Sequence, residues 1–261
     1  MRTMNHPATA TPTLDITSYN KHNKPIYYHQ ATLMPLTDKQ IIDSWKTNVK
    51  PWINAITSGE ITSRVNVTNQ AIIDAVLAKS PKKVLDAGCG EGWLSAALAQ
   101  TGIDVMGTDV VPALVAHAQQ TVTNARFKTI AFEDLSIEVM AEKFDLIVAN
   151  FSLLGKESVE SFCHNAAGLL KPNGWLIVQT IHPLSGCGEA EYKDGWRTGS
   201  WAGFSDEFSN PAPWYFRTLP SWIALFTGHG FNVVEQLEPV NPQTQQPASV
   251  IFLSQAKPNQ A

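Results

Sequence analysis

The chain has 261 residues, a net charge of -4, 44% hydrophobic and 16% charged residues. That composition supplies a sizeable core, excludes global disorder, and lacks the basic footprint that nucleic-acid binding needs. No apolar run approaches membrane-spanning length, and Met1 to Asp15 lacks the apolar stretch of a secretory signal, so a cytoplasmic protein without a membrane or nucleic-acid partner is expected.

Residues 1–20 read as a loose polar tail, 21–80 as an N-terminal helical cap, and 81–261 as a core. Within the cap, Leu36 to Trp45 has the pattern of a short amphipathic helix with Asp38 near its start. Val67 to Ala78 carries apolar residues at helical spacing, with Thr68 or Asn69 as cap and Ser80-Pro81 as stop. A repeating beat follows. Val84–Ala87 is a strand, Trp93–Gln100 a helix closed by Gly102, and Val105–Thr108 a strand ending in Asp109. Pro112 suits the first turn of a helix over Ala113–Thr121. Strands are predicted at Arg126–Ala131, Phe144–Ala149 and Trp175–Thr180, with a helix at Ser158–Leu170 broken by Lys171-Pro172-Asn173-Gly174. Continuous apolar strands alternating with helices imply an α/β, doubly wound, mostly parallel sheet covered on both faces.

The beat stops at Ile181. His182 to Trp214 has no period and is too long for an ordinary connection, so a lid or insertion is expected at about 182–217. Trp222–Thr227 reads as helix, and Phe231–Leu237 and Val250–Ser254 as strands. Pro239, Pro242 and Pro247 between those strands predict an extended loop, hence antiparallel pairing.

Chemistry concentrates in Val84-Leu85-Asp86-Ala87-Gly88-Cys89-Gly90-Glu91-Gly92. Alternate glycines between a strand and a helix let a ligand lie against the backbone at a positive helix end. The spacing is one residue tighter than the dinucleotide fingerprint, yet an acid, Asp109, stands at the tip of the second strand where a ribose is held. Asp86 beside the turn would repel a pyrophosphate and welcome an ammonium or sulfonium. A ligand with adenosine at one end and an amino acid at the other meets all three conditions, which points to S-adenosylmethionine (SAM).

In order, VLDAGCGEG, VMGTD, FDLIVANFSLL and LLKPNGWLIVQT, spanning roughly Lys82 to Thr180, resemble the motif series of class I SAM-dependent methyltransferases of the small-molecule type. The resemblance implies a seven-stranded sheet whose last strand is antiparallel, SAM as methyl donor, S-adenosylhomocysteine (SAH) as product, and no metal. It assigns Gly88, Cys89 and Gly90 to the methionine part and ribose, Asp109 to the ribose hydroxyls, and Val110 to adenine. The family's acid-bearing turn after the third strand reads Ala131-Phe132-Glu133-Asp134 here, so Phe132 and Glu133 are expected to take its place. Asn150 and Phe151 would line the methionine and substrate side. Arg64 is a candidate for the methionine carboxylate.

Methyl transfer is an in-line displacement on an activated electrophile, and an oxygen acceptor usually needs a base. His182, immediately after the fifth strand, is the candidate base, against a structural histidine bonded within its loop; His29 is a second. The acceptor pocket is expected from Tyr27–Trp52 and Trp196–Arg217, with Tyr28, His29, Trp196, Trp201, Trp214 and Arg217 as pocket residues. Their aromatic walls suit a flat, partly apolar acceptor, and Arg197 or Arg217 is available for a carboxylate or phosphate on it. The expected activity is methylation of oxygen or nitrogen on a small molecule, by a monomer or homodimer. The alternatives are an NAD(P)-linked oxidoreductase or a non-catalytic SAM-binding module. Cys89, Cys163 and Cys187 are odd in number and lack CxxC spacing, so neither a disulfide framework nor a metal site is expected.

Overall fold

The computed structural model describes residues 16–19, 25–27 and 35–257. The chain divides into two compact units, Met1–Pro35 and Leu36–Ala261. In the first, strand Ile16–Tyr19 pairs antiparallel with Pro25–Tyr27. The division therefore falls at Pro35, later than the tail end expected at residue 20, and the helices of the expected cap belong to the same unit as the sheet.

The second unit is built on seven strands: β1 (Lys83–Ala87), β2 (Asp104–Asp109), β3 (Arg126–Thr129), β4 (Phe144–Asn150), β5 (Leu170–Thr180), β6 (Phe231–Leu237) and β7 (Val250–Ala256). Their order across the sheet is β6-β7-β5-β4-β1-β2-β3, and β7 runs antiparallel to both of its neighbours. The chain begins at β1, moves outward through β2 and β3, then returns to β4 on the other side of β1. That reversal opens a crevice beyond the carboxyl ends of β1 and β4, where ligands bind in sheets of this kind.

Period-two alternation assigns the faces. Val84 of β1 and Leu146 and Val148 of β4 pack with Ile72 and Val76 of helix α3 (Asn69–Leu77) and with Leu94 and Leu98 of helix α4 (Trp93–Ala99). Leu85, Ala87, Ile147 and Ala149 face the other layer, with Phe162 and Ala166 of helix α6 (Glu157–Leu169) and Phe226 of helix α7 (Leu219–Gly228). Helix α5 (Pro112–Thr121) starts with its proline in the first turn and closes the edge through Val115 and Ala118 against Phe127.

Ahead of the sheet lie helices α1 (Asp38–Thr47) and α2 (Val49–Ser58), then a π-helical turn at Arg64–Thr68 that leads into α3. Helix α1 follows its expected pattern and is shifted two residues; α2 was not expected, because Pro51 and Trp52 mask a helical period. Pro51 lies in the first turn of α2, where it is tolerated, and Gly59 in the left-handed conformation stops the helix. The expected lid holds a short helix, Pro183–Cys187, and an antiparallel pair, Gly195–Arg197 with Trp214–Phe216. The proline-rich loop between β6 and β7 contains a small hairpin, Val240–Asn241 with Gln246–Pro247. No helix among the described residues is long and apolar enough to cross a membrane.

Candidate active site

A cavity of about 470 Å³ sits over the carboxyl ends of β1, β2 and β4. Its floor comes from the glycine turn after β1, from Asp109 and Val110, from the turn at Ile130–Glu133, and from Asn150 to Ser152. Its roof comes from α1, α2, the π-helical turn and residues of the segment after β5.

The turn is tight for a steric reason. At Gly88, φ is +75° and an added Cβ would lie 2.3 Å from Cβ of Ser152, so only glycine lets β1 and the loop after β4 approach. Ser152 closes that contact by donating its hydroxyl to the Ala87 carbonyl at 2.7 Å. Gly92, the third glycine, faces away from the cavity: an added Cβ would press on Ala118 at 3.0 Å and on the Phe127 ring at 3.2 Å. It serves helix packing.

Asp109 stands at the tip of β2. One carboxylate oxygen accepts from the Gly90 backbone N–H at 2.9 Å, the other from Val111 N–H at 2.8 Å. Burial raises its pKa above the usual aspartate value, and the bonds from the Val111, Gly90 and Val110 amides oppose that rise. Each oxygen keeps a lone pair for a ligand hydroxyl. Val110, Phe132 and Glu133 all line the cavity near it. Asn165 of α6 holds their turn by donating to the Phe132 carbonyl at 3.1 Å, and the Phe132 ring packs on Phe162 at 5.0 Å. Cys89 also lines the cavity, and burial pushes its thiol well above the ordinary range, with the acids Asp86, Asp109 and Glu91 adding to the shift.

Asn150 and Phe151 lie at the end of β4. Phe151 takes a φ of +54°, rare for an aromatic residue, and its N–H donates to the Gln179 carbonyl at 2.8 Å. Arg64 is 8% exposed and lines the cavity from the π-helical turn.

Five residues expected at the site lie off the cavity. Asp86 does not line the cavity. Strand alternation turns it to the α4 face with Val84, where its carboxylate accepts from the Ser95 hydroxyl at 2.7 Å. Burial lifts its pKa to about 7, with the Ser95 bond opposing and the charges of Glu91 and Asp109 adding. The acid at the turn that does reach the cavity is Glu91. His182 is 2% exposed and also lies off the cavity; its Nδ1 accepts from Leu184 N–H at 3.3 Å, capping the helix Pro183–Cys187. The structure therefore does not bring it into the cavity.

Arg217 is buried and donates to the carbonyls of Gly155 at 2.8 Å and Lys156 at 3.1 Å, with its guanidinium over Tyr215 and Trp222. Those bonds tie the lid strand to the start of α6 and keep it from a substrate anion. Arg197 is likewise spent on the carbonyls of Glu191 and Lys193. Trp196 packs edge-on against Tyr215, outside the cavity wall. Trp201 and Trp214 do line the cavity, joined by Trp45 and Phe204. Tyr28 and His29 lie outside the described residues. Among the described residues no group of three or more His, Cys, Asp or Glu is placed to hold a metal.

Trp45 and Trp52 fall within the expected pocket segment Tyr27–Trp52, whereas nothing in the pattern singles out Glu91, which stands inside the motif behind Asp86. Trp52 declares itself only once α2 is known to be a helix.

Over 149 residues the chain is 30% identical to the ubiquinone biosynthesis O-methyltransferase of Coxiella burnetii, covering 56% of this chain and 63% of that one. Over 116 residues it is 30% identical to an uncharacterized methyltransferase of Mycobacterium bovis, covering 44% of this chain and 59% of that protein. The chain thus spans less than two thirds of the length of these curated relatives. The fold is shared with a S-adenosylmethionine-dependent methyltransferase of Clostridium acetobutylicum, at a TM-score of 0.56 and 14% identity over 72% of this chain and 89% of that one. It is shared also with the magnesium protoporphyrin IX methyltransferase of Synechocystis, at a TM-score of 0.51 and 18% identity over 73% and 82% of the two chains. The family model described as a methyltransferase domain matches residues 62–236, across the whole floor of the cavity, and the chain belongs to that family.

Proposed function

We propose that this protein is a SAM-dependent methyltransferase that methylates oxygen or nitrogen on a small, flat, partly apolar molecule. The observation that carries this reading is one cavity with two unlike sets of lining residues. One set is polar and backbone-rich, at Gly88 to Glu91 and Asp109; the other is the aromatic group Trp45, Trp201, Phe204 and Trp214.

The residues present fit SAM. Asp109 keeps lone pairs for two vicinal hydroxyls, and Val110 and Phe132 offer apolar faces for a purine. An added Cβ on Gly90 would make an ordinary contact with Trp52 Nε1 at 3.7 Å, so Trp52 lies over the turn without crowding it. Arg64 supplies a cation for the methionine carboxylate and Glu91 an acid on the same wall. These acids at the turn suit a cation and oppose a pyrophosphate, which separates this reading from an NAD(P)-linked one.

When bound, SAM supplies a methyl group already activated on its sulfonium sulfur. The chain's residues bind, orient and exclude water. The glycine turn and Asp109 hold the donor against the sheet edge. Residues 36–80 act as a cap and residues 182–217 as a lid, and their tryptophans hold a flat acceptor out of water.

Isothermal titration calorimetry with SAH tests the reading. Wild-type protein should bind SAH. Asp109→Ala should lose about tenfold or more in affinity, as expected for a lost charge-assisted contact. Equal affinity in the two proteins would end the ribose assignment.

A further inference from the structure

Four side chains meet where α2 crosses the glycine turn. The Trp52 indole N–H donates to Glu91 Oε2 at 2.7 Å. The Arg64 guanidinium carbon lies 5.3 Å from the Trp52 ring centroid and 5.1 Å from that of Trp93, so two indoles flank it. Its Nε donates to Asn69 Oδ1 at 3.4 Å. All four residues line the cavity.

Both charges are buried with incomplete partners. Arg64 is 8% exposed and Glu91 7%. Glu91 Oε1 accepts no hydrogen bond among the described residues. Burial lowers the Arg64 pKa and raises that of Glu91, while the attraction between them opposes both shifts. Desolvated charges of this kind are retained where a ligand completes them. A zwitterionic amino acid carries both complements: its carboxylate for the guanidinium, its ammonium for the carboxylate.

The position selects the donor over the acceptor. Gly90 donates its N–H to Asp109 on one side, and Trp52 covers its α-carbon on the other. Glu91 therefore follows directly on the residue that bonds Asp109, on the side where a chain extending from the same nucleoside falls.

We propose that Trp52 is a positioning residue for the amino-acid end of the methyl donor. With Trp93 it fixes the Arg64 guanidinium by its ring face, and through its N–H it fixes the Glu91 carboxylate. This rests on the SAM reading above. Because Trp52 belongs to α2, the donor site is complete only when the cap helices lie on the core. Arg64 meets the carboxylate; Trp52 acts through Arg64 and Glu91.

Calorimetry with two probes tests it: SAH, and 5′-methylthioadenosine, the same nucleoside thioether without the amino acid. Trp52→Leu should weaken SAH by about tenfold or more and leave methylthioadenosine within about twofold, the scale of losing a desolvated cation–π contact and a charge-assisted bond. Trp52→Phe, which keeps an aromatic face over Arg64 but no N–H, should fall between. Glu91→Gln, nearly isosteric, should show the same split and serves where Trp52→Leu does not fold. Equal losses for both probes would mean general damage to the cap and overturn the proposal, as would no loss for either. Wild-type protein that binds neither probe would overturn the donor reading itself. Wild-type binding without the split in the variants would overturn only the role of Trp52.

Discussion

The Gln179 side-chain nitrogen donates to the Thr68 carbonyl at 3.1 Å and to Asn150 Oδ1 at 3.0 Å, both inside the protein. A backbone carbonyl can only accept, so the Thr68 contact fixes which end of the Gln179 amide faces it. That in turn makes Asn150 present its oxygen to Gln179 and turns its N–H₂ elsewhere, at a residue that lines the cavity. The order sequence, backbone, second side chain, site side chain is set by one acceptor. Gln179→Glu removes the donor to both partners. The buried Thr68 carbonyl then loses its bond, which costs about 1–3 kcal/mol, and Asn150 must turn its N–H₂ toward the new carboxylate. Denaturant unfolding should show that loss, and SAH affinity should fall with it as Asn150 reorients. Unchanged stability would mean that the relay carries no energy.

Asp86 gives a pH prediction. Its pKa rises from the ordinary 3.8 to about 7 through burial. A raised carboxyl pKa in the folded state favours the protonated form. Folding then takes up a proton between about pH 4 and pH 7, and stability falls as pH climbs through that window. Full ionisation of the buried group costs roughly 4 kcal/mol. Asp86→Asn keeps the shape and the Ser95 contact without the charge. Relative to wild type, the variant should gain stability as pH rises from 4 to 8, by up to roughly that amount. Urea unfolding at several pH values measures the gap; a gap independent of pH would show that Asp86 does not titrate as described.

The sheet was legible because its signal is local. Most strands from Val84 to Thr180 are short apolar runs, Arg126–Thr129 being the exception, and each begins or ends within a few residues of its expected place. Asp109 and Gly88 were legible for the same reason: strand tips fix them. Side-chain direction was less so. Asp86 lies beside the glycines in sequence, yet one step of strand alternation turns it under α4. Glu91, five residues on, reaches the cavity because the chain has already turned. His182 follows the strand end that a base would follow, but Pro183 starts a helix there and the imidazole caps it. Arg217 of the lid could not be assigned from pattern, since its carbonyl partners, Gly155 and Lys156, lie 62 and 61 residues away.

His182 supplies a negative prediction with a positive control. His182→Ala removes the cap of Pro183–Cys187 and leaves a small void. The expected loss is about 1–3 kcal/mol of stability. SAH affinity should stay within twofold of wild type, roughly 0.4 kcal/mol, because the ring does not line the cavity. A drop of tenfold or more in SAH affinity, with stability intact, would place His182 at the donor site.

Asn48 joins the cap to the lid. It is fully buried, and its amide pairs with the Ser209 backbone in both directions, donating to the carbonyl at 2.7 Å and accepting from the N–H at 2.9 Å. Ser44 adds a bond from its hydroxyl to the Asn210 carbonyl, and Asn210 holds a φ of +46°. Trp201 meets the same Ser209 carbonyl at 2.9 Å and packs edge-on against Trp45 of α1. Roof and lid are thus one hydrogen-bonded piece over the aromatic end of the cavity. Asn48→Ala leaves the Ser209 N–H without its partner and its carbonyl with the Trp201 indole alone, at about 1 kcal/mol for the lost pair of bonds. The segment 199–212 should open more often, so limited proteolysis should cut it several-fold faster, as expected when local opening governs cleavage. The core strands should be cut no faster. SAH should protect wild type and variant alike if the donor end forms without the lid. Protease cleavage of 199–212 at the wild-type rate would show that other contacts hold the lid.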